Sequence, residues 1–408
     1  MRRILLLFLL AALPAQGQWT SIGDMPRPSR QGNALRFENA QAVAVVTALS
    51  PEIIRVRIRE GRDHSYAVVN RNFGDPGATL TIGDVRSTIA TAALRVTIQH
   101  APFRIALSNS AGESLDEDRA IALDGNASRV WKRLRDDEHI YGLGEKNGPL
   151  DKRGWKLGGY SLTMWNSDTF GYDSSTDPIY VSVPFYIVMR KGVGFGIFFD
   201  NTYRSNFDVG HQTQGLLSFG ADGGPLDYYF IYGPEPRKVI ERYTALTGRM
   251  PLPPIWSLGY NQCRYSYFPE SRVRDIARNF RERHIPADVI WLDIHYLDAY
   301  KPFTWDRKRF PDPARMIGDL RKDGFRLVTI IDPHPKKETG YLPYDTGLAG
   351  DHFVKNPDGS IYEAPVWPSR AEDGLTPDWS HSGHGNSVFP DFSKPAARAW
   401  WGGFTPTC

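Results

Sequence analysis

Asp288-Val289-Ile290-Trp291-Leu292-Asp293-Ile294 is an apolar run that delivers a carboxylate at its end. A second run, Arg326-Leu327-Val328-Thr329-Ile330-Ile331-Asp332, does the same further along and is followed at once by Pro333 and His334. Strands of a parallel sheet are covered on both faces and read as continuous apolar runs, so both stretches are expected to be buried parallel strands. Between them lie Phe303-Thr304-Trp305-Asp306 and an amphipathic segment, as a crossover requires. Barrels of this kind build their active sites at the C-terminal ends of the strands. Asp293 and Asp332 are therefore the first candidate site residues.

Working outward, Ile255 to Tyr260 is expected to form an earlier strand. Pro269 then opens a helix whose apolar residues Val273, Ile276, Ala277 and Phe280 fall at helical spacing. Ile290 to Ile294 is the next strand, Ala314 to Lys322 the next helix, and Leu327 to Asp332 the third strand. A long excursion follows, with a turn at Asn356-Pro357-Asp358-Gly359 between two short extended runs, before a helix from Lys394 to Trp401. These make three βα units, whereas a closed (β/α)8 TIM barrel needs eight over roughly 250 residues. The expected second domain, 251–408, is thus an incomplete barrel. Upstream, β-branched and alternating runs recur at Val43 to Val46, Ile53 to Ile58, Leu94 to Ile98 and Ile179 to Val188, separated by clusters such as Asn72-Phe73-Gly74-Asp75-Pro76-Gly77. Short strands between turn signals predict a β-sandwich over 18–250. Pro251, Pro253 and Pro254 mark the boundary.

The chain has 408 residues and a formal net charge of +3, of which Arg2 and Arg3 contribute two charges. A nearly neutral remainder offers no electrostatic footprint for nucleic acid or an anionic membrane. Arg2 and Arg3, the apolar stretch Ile4 to Leu13 and Ala15-Gln16-Gly17 have the form of a secretory leader over 1–17, with a mature end at Gln18. The apolar stretch is short of the roughly 20 residues a spanning helix needs, and no cysteine follows the cleavage site to carry a lipid. The expected location is the periplasm or the medium, with no membrane anchor. Of the two cysteines, Cys263 is expected to be buried and free, and Cys408 is the last residue. The chain is rich in aromatic residues, with 11 Trp, 19 Tyr and 21 Phe. Such rings serve as stacking platforms for sugars and equally as core.

Taken together, the motifs YGLGEKNG (141–148), PLPPIWSLGY (251–260), DVIWLDIHYLD (288–298), FTWD (303–306), IIDPHP (330–335), VWP (366–368) and VFPDF (388–392) resemble those of family 31 glycoside hydrolases, the α-glucosidase and α-xylosidase family. The resemblance implies a galactose-mutarotase-like N-terminal β-sandwich ahead of the barrel, a retaining mechanism and no cofactor. It also implies an α-glucoside or oligosaccharide as substrate; oligomeric state is not legible. Asp293 matches the carboxylate that accepts hydroxyls of the sugar being cleaved, and an ionised carboxylate suits that role because it accepts from two donors at once. Ile294 matches a pocket-lining position; with His295 it leans towards glucose, where xylosidase-type members commonly carry Cys-Phe. Asp332 matches a second pocket residue, although an Asp-Pro pair also serves simply to end a strand. Trp367 matches an aromatic wall, and Tyr265 an aromatic after the first strand. Asp168 matches a sandwich loop that contacts the leaving-group sugar.

The family's nucleophile lies in a Trp-x-Asp-Met-Asn-Glu stretch on the fourth strand, and its acid/base comes later. Neither motif occurs among these residues, so no catalytic residue is assigned. The expectation is an exported α-glucosidase-type hydrolase that ends before its nucleophile, through a frameshift or a broken gene model, and is inactive alone. Alternatives are a non-catalytic carbohydrate-binding protein and an α-xylosidase-type member. His381-Ser382-Gly383-His384 with Asp378 lacks the further ligand pairs of a metal site and is expected to be a polar loop.

Overall fold

The computed structural model describes residues 19–61, 63–153, 159–169, 171–366, 369–370, 377–378 and 386–404. The chain divides into two compact units, Met1–Met250 and Pro251–Cys408. The leader, Trp367, His381, His384 and Cys408 lie outside the described residues.

The first unit is built from two antiparallel sheets. One runs, in spatial order, through His139–Gly144, Ser182–Arg190, Val193–Phe199, Leu226–Tyr232, Ile53–Ile58, Val43–Ser50, Ala34–Glu38 and Ser29–Gln31. The other runs through Tyr160–Met164, Ser205–Val209, Leu216–Ala221, Ala127–Arg133, Ser114–Asp124, Arg104–Asn109, Leu94–Gln99, Arg86–Ala90 and Thr79–Ile82, with Thr20–Ser21 added on Ser114–Asp124. Alternation decides which side chains face inward, because successive residues of a strand point to opposite faces. Ile54, Val56, Tyr228 and Phe230 of the first sheet join Val96, Ile98, Val130 and Phe219 of the second in one core.

Ile53, Phe198, Tyr229 and Ile231 occupy the opposite face of the first sheet. They are covered by helix α1 (Pro236–Thr247), which buries Val239 and Leu246. Strands sandwiched this way are apolar on both faces, hence the run Tyr228 to Ile231; Asp227, in the same strand, is buried against Arg55. The close seat of α1 depends on Gly196: a Cβ there would lie 2.6 Å from the Phe185 ring and 2.8 Å from Val239.

One polar cluster interrupts the sandwich core. Lys132 Nζ donates to Asp116 Oδ2 at 2.6 Å and to Asp118 Oδ1 at 2.8 Å, and all three residues are buried. Asp118 Oδ2 also accepts the backbone N–H of Ile105 at 3.1 Å. Burial pushes Asp118 up to about 6, against the pull of Lys132; burial also opposes the charge on Lys132, but Asp116 and Asp118 outweigh it and raise the ammonium.

The second unit holds three parallel strands in the order Asn261–Gln262, Val289–Leu292, Arg326–Thr329. Helix α2 (Glu270–Glu282) connects the first to the second and α3 (Pro313–Lys322) the second to the third. Val273 and Ala277 of α2 and Met316 and Leu320 of α3 pack with Ile290 and Leu292 in one core. Helices α4 (Leu342–Ala349) and α5 (Pro395–Gly402) follow.

Several expectations are corrected. Ile255 to Tyr260 is not a strand: Ile255–Leu258 is a 3₁₀ turn in which the Pro254 carbonyl accepts from the Ser257 N–H and hydroxyl, and Ile255 is 87% exposed. The strand comes later and ends at Gln262, so Cys263 stands at the start of a loop, free and exposed rather than buried. Ile294 belongs to a turn, Ile294–Tyr296, beyond the end of its strand. The strand expected from Ile179 begins at Ser182 instead. Arg326–Thr329 is half-buried along its whole length, because only one of its sides meets a neighbouring strand among the described residues. The excursion after it contains α4, whose residues form no single apolar stripe; Gly347 lets Phe353 and Trp400 approach it closely.

Candidate functional site

The parallel register brings the strand ends to one edge. Asn261 pairs with Val289 and Val289 with Arg326, so the loop from Cys263, Asp293 and the segment Ile330 to Asp332 all leave the sheet on its C-terminal side. Sequence-predicted Tyr265, Asp293 and Asp332 therefore share one end of the sheet. The edge is braced from below: Trp291 Nε1 donates to Asn261 Oδ1 at 2.9 Å, and the Tyr296 hydroxyl donates to the Ile330 carbonyl at 2.9 Å.

Asp293 is half-buried, and its Oδ1 accepts the backbone N–H of Ile294 at 2.7 Å, which caps the turn that follows. Its Oδ2 takes no donor among the described residues. Burial raises this carboxyl above the ordinary aspartate value; the Ile294 N–H works against that, and the negative field of Asp332 adds to it. Asp332 lies with Oδ2 buried and without a hydrogen-bond partner, 3.6 Å from His334 Nε2. Two carboxylates that feel one another, each with an acceptor oxygen to spare, form an edge suited to hydroxyl donors.

Ile294 is 1% exposed and belongs to the core beneath this edge, with Leu292, Tyr296 and Leu297. Tyr265 is 52% exposed and meets His295 edge-on, ring centroids 5.1 Å apart. Phe268 stacks on the same imidazole at 4.9 Å and Tyr300 approaches it at 5.7 Å. His295 was singled out from sequence only beside Ile294, as leaning towards glucose; its burial was not foreseen, and Tyr296 and His334 were not singled out. His295 stands within the quoted motif, but two of its ring partners, Tyr265 and Phe268, come from an earlier loop. Asp168 lies in the first unit, exposed, in a loop held by the Ser167 N–H to the Ile179 carbonyl at 3.2 Å and by the Ser182 N–H to Asn166 Oδ1 at 2.8 Å. Trp367 is outside the described residues. Among the described residues no group of three or more His, Cys, Asp or Glu is placed to hold a metal ion.

A two-sheet sandwich followed by parallel βα units, with acidic residues at the strand ends, is the architecture of a sandwich joined to barrel-type βα units. Residues 43–208 match the family model of the glycosyl hydrolase 31 N-terminal galactose mutarotase-like domain, and residues 250–406 that of the glycosyl hydrolases family 31 TIM-barrel domain. The chain belongs to glycoside hydrolase family 31. Alpha-glucosidase 2 of Bacillus thermoamyloliquefaciens is 46% identical over 273 residues, which cover 67% of this chain and 32% of that protein. An alpha-glucosidase of Saccharolobus solfataricus is 34% identical over 295 residues, covering 72% and 39%. The solved structure of a Flavobacterium johnsoniae family 31 dextranase complexed with glucose superimposes with a TM-score of 0.84 at 32% identity, covering 94% of this chain and 46% of that one. The chain thus spans well under half the length of these curated relatives.

Proposed function

We propose that the chain is exported and supplies the sugar-binding half of an α-glucosidase-type site, in which Asp293 and Asp332 accept hydroxyls of a terminal glucose. Tyr265 is assigned to the wall of that site and Ile294 to its floor. The observation that carries this reading is the pair of half-buried carboxylates at neighbouring parallel strand ends, with acceptor oxygens that no described donor fills. A glucose hydroxyl there would replace water with a charge-assisted hydrogen bond, worth about 1.5–3 kcal/mol.

A retaining glycosidase needs two carboxyl groups about 5–5.5 Å apart across the scissile bond, one as nucleophile and one as acid/base. These 408 residues contain no Trp-x-Asp-Met-Asn-Glu stretch. Asp293 and Asp332 match binding positions, so by themselves these residues bind an α-glucoside and do not cleave it. Calorimetric titration with glucose and maltose tests the binding claim: Asp293→Asn is expected to weaken affinity about tenfold, and unchanged affinity removes Asp293 from the site. In parallel, turnover of p-nitrophenyl α-glucoside by a preparation free of host glucosidase is expected to stay at the buffer rate. Turnover abolished by Asp293→Asn would overturn the non-catalytic assignment.

A further inference from the structure

A cleft lies beside this edge, and its lining includes neither Asp293 nor Asp332. The loop that follows the first barrel strand and the first turn of α2 enclose an open cleft of about 530 Å³. Its walls include Arg264, Tyr265, Ser266, Phe268, Arg272 and His295. Two features point to a ligand. His295 is 3% exposed, lines the cleft and leaves Nδ1 without a hydrogen-bond partner; Ser266 Oγ, also buried, lacks one too. A buried nitrogen or hydroxyl left unpaired costs about 1–3 kcal/mol, which a ligand hydroxyl would relieve once a small movement of the Tyr265–Phe268 loop opens both atoms to the cleft.

The second feature is charge. Arg264 and Arg272 line the cleft exposed, and neither pairs with a carboxylate among the described residues. The one carboxylate in the lining, Asp275, is taken by Arg278 at 2.7 Å. Glu270 donates its N–H to the Arg309 carbonyl and Arg272 its N–H to Pro269, so the helix end offers little and the guanidinium groups supply the positive field. Planar guanidinium forks match the oxyanions of carboxylate and phosphate. Tyr265, half-exposed, adds a ring face on which the apolar side of a pyranose stacks, whereas the Phe268 ring is taken by His295 and Arg309.

The geometry points to a site for an anionic sugar, a pyranose bearing a carboxylate or a phosphate, with its oxyanion on Arg264 and Arg272 and its hydroxyls on Ser266 and His295. The test is calorimetric titration of the purified chain with glucuronate, glucose 6-phosphate, glucose, acetate and inorganic phosphate. At least one charged sugar is expected to bind about tenfold or more tightly than glucose, and than acetate or inorganic phosphate. Glucuronate in that role assigns a carboxylate ligand, glucose 6-phosphate a phosphate ligand. Arg264→Ala with Arg272→Ala, both on the surface, is expected to remove the advantage. His295→Phe, which keeps the ring stack and removes the nitrogens, is expected to weaken the charged sugar severalfold. Equal affinity for charged and neutral sugars, equal affinity for the small anions, or an advantage that survives the double arginine variant would overturn the proposal. Asp293→Asn separates the two sites: it is expected to weaken glucose while leaving the charged sugar in place, and loss of the charged sugar in that variant would also overturn it.

Discussion

At the scale of single residues, the carboxylates at the strand ends carry a pH dependence of known sign. Burial raises Asp293 above the ordinary value of 3.8, with Asp332 adding to the effect. Only the ionised form accepts from two hydroxyls, so glucose affinity is expected to climb as pH rises through a midpoint above 3.8. The same shift costs stability: between the unfolded and folded midpoints the native chain holds a proton the unfolded chain has released, so this group's contribution falls as pH rises there. Asp332→Asn removes the negative neighbour, and titration of that variant should find the Asp293 midpoint lower; a midpoint that stays put would mean that the two carboxyls do not interact. The place of Asp293 at a strand end was legible because an apolar run closed by a carboxylate reads as a buried strand and its exit. The packing of His295 was not, since Tyr265 and Phe268 reach it from the loop ahead of α2 and Tyr300 from its own loop. Cys263 was misread because its burial hung on a strand placed too early in the sequence.

At the scale of elements, apolar periodicity foretold strands and helices well where it had a stripe to show, as in Ile53–Ile58 and in α2. It failed at Ile255–Leu258, where apolar residues follow a proline and are left in solvent, and at α4, which buries small and aromatic residues on no single face. Nor did it foretell the buried lysine. Lys132 sits in a strand between inward-facing positions and is tolerated because Asp116 and Asp118 neutralise it. Breaking such a group by removing one member leaves charge uncompensated, at about 3–5 kcal/mol. Lys132→Met is therefore expected to destabilise the sandwich by about that amount near neutral pH, measured by denaturant unfolding. The loss should shrink in mild acid, where Asp118, already pushed up to about 6, takes up a proton. An equal loss at both pH values would show that packing, and not charge, is what Lys132 supplies.

At the scale of the whole molecule, the two-part organisation was legible in the change from alternating to helical periodicity around a proline cluster, and the chain divides at Met250. Export rests on the basic pair and apolar stretch at the start of the sequence. Mass spectrometry of the secreted protein is expected to find an end at Gln18, and an intact Met1 there would refute processing. Among the described residues no helix is long and apolar enough to cross a membrane.

The half-buried third strand of the parallel sheet has a further consequence, written in the exchange of hydrogen for deuterium. The N–H of Arg326 donates to the Asp288 carbonyl and that of Ile330 to the Leu292 carbonyl, so the even-numbered amides of this strand point into the sheet. Leu327 and Thr329 point the other way, where no strand receives them among the described residues. Amides locked in a ladder exchange only when the structure opens, whereas amides at a free edge are open to solvent. One strand should therefore keep two clocks, with Arg326, Val328 and Ile330 labelling slowly and the residues between them within moments. If Leu327 and Thr329 prove as slow as their neighbours, that edge has found a companion, in another copy or in the aggregate that exposed strands invite.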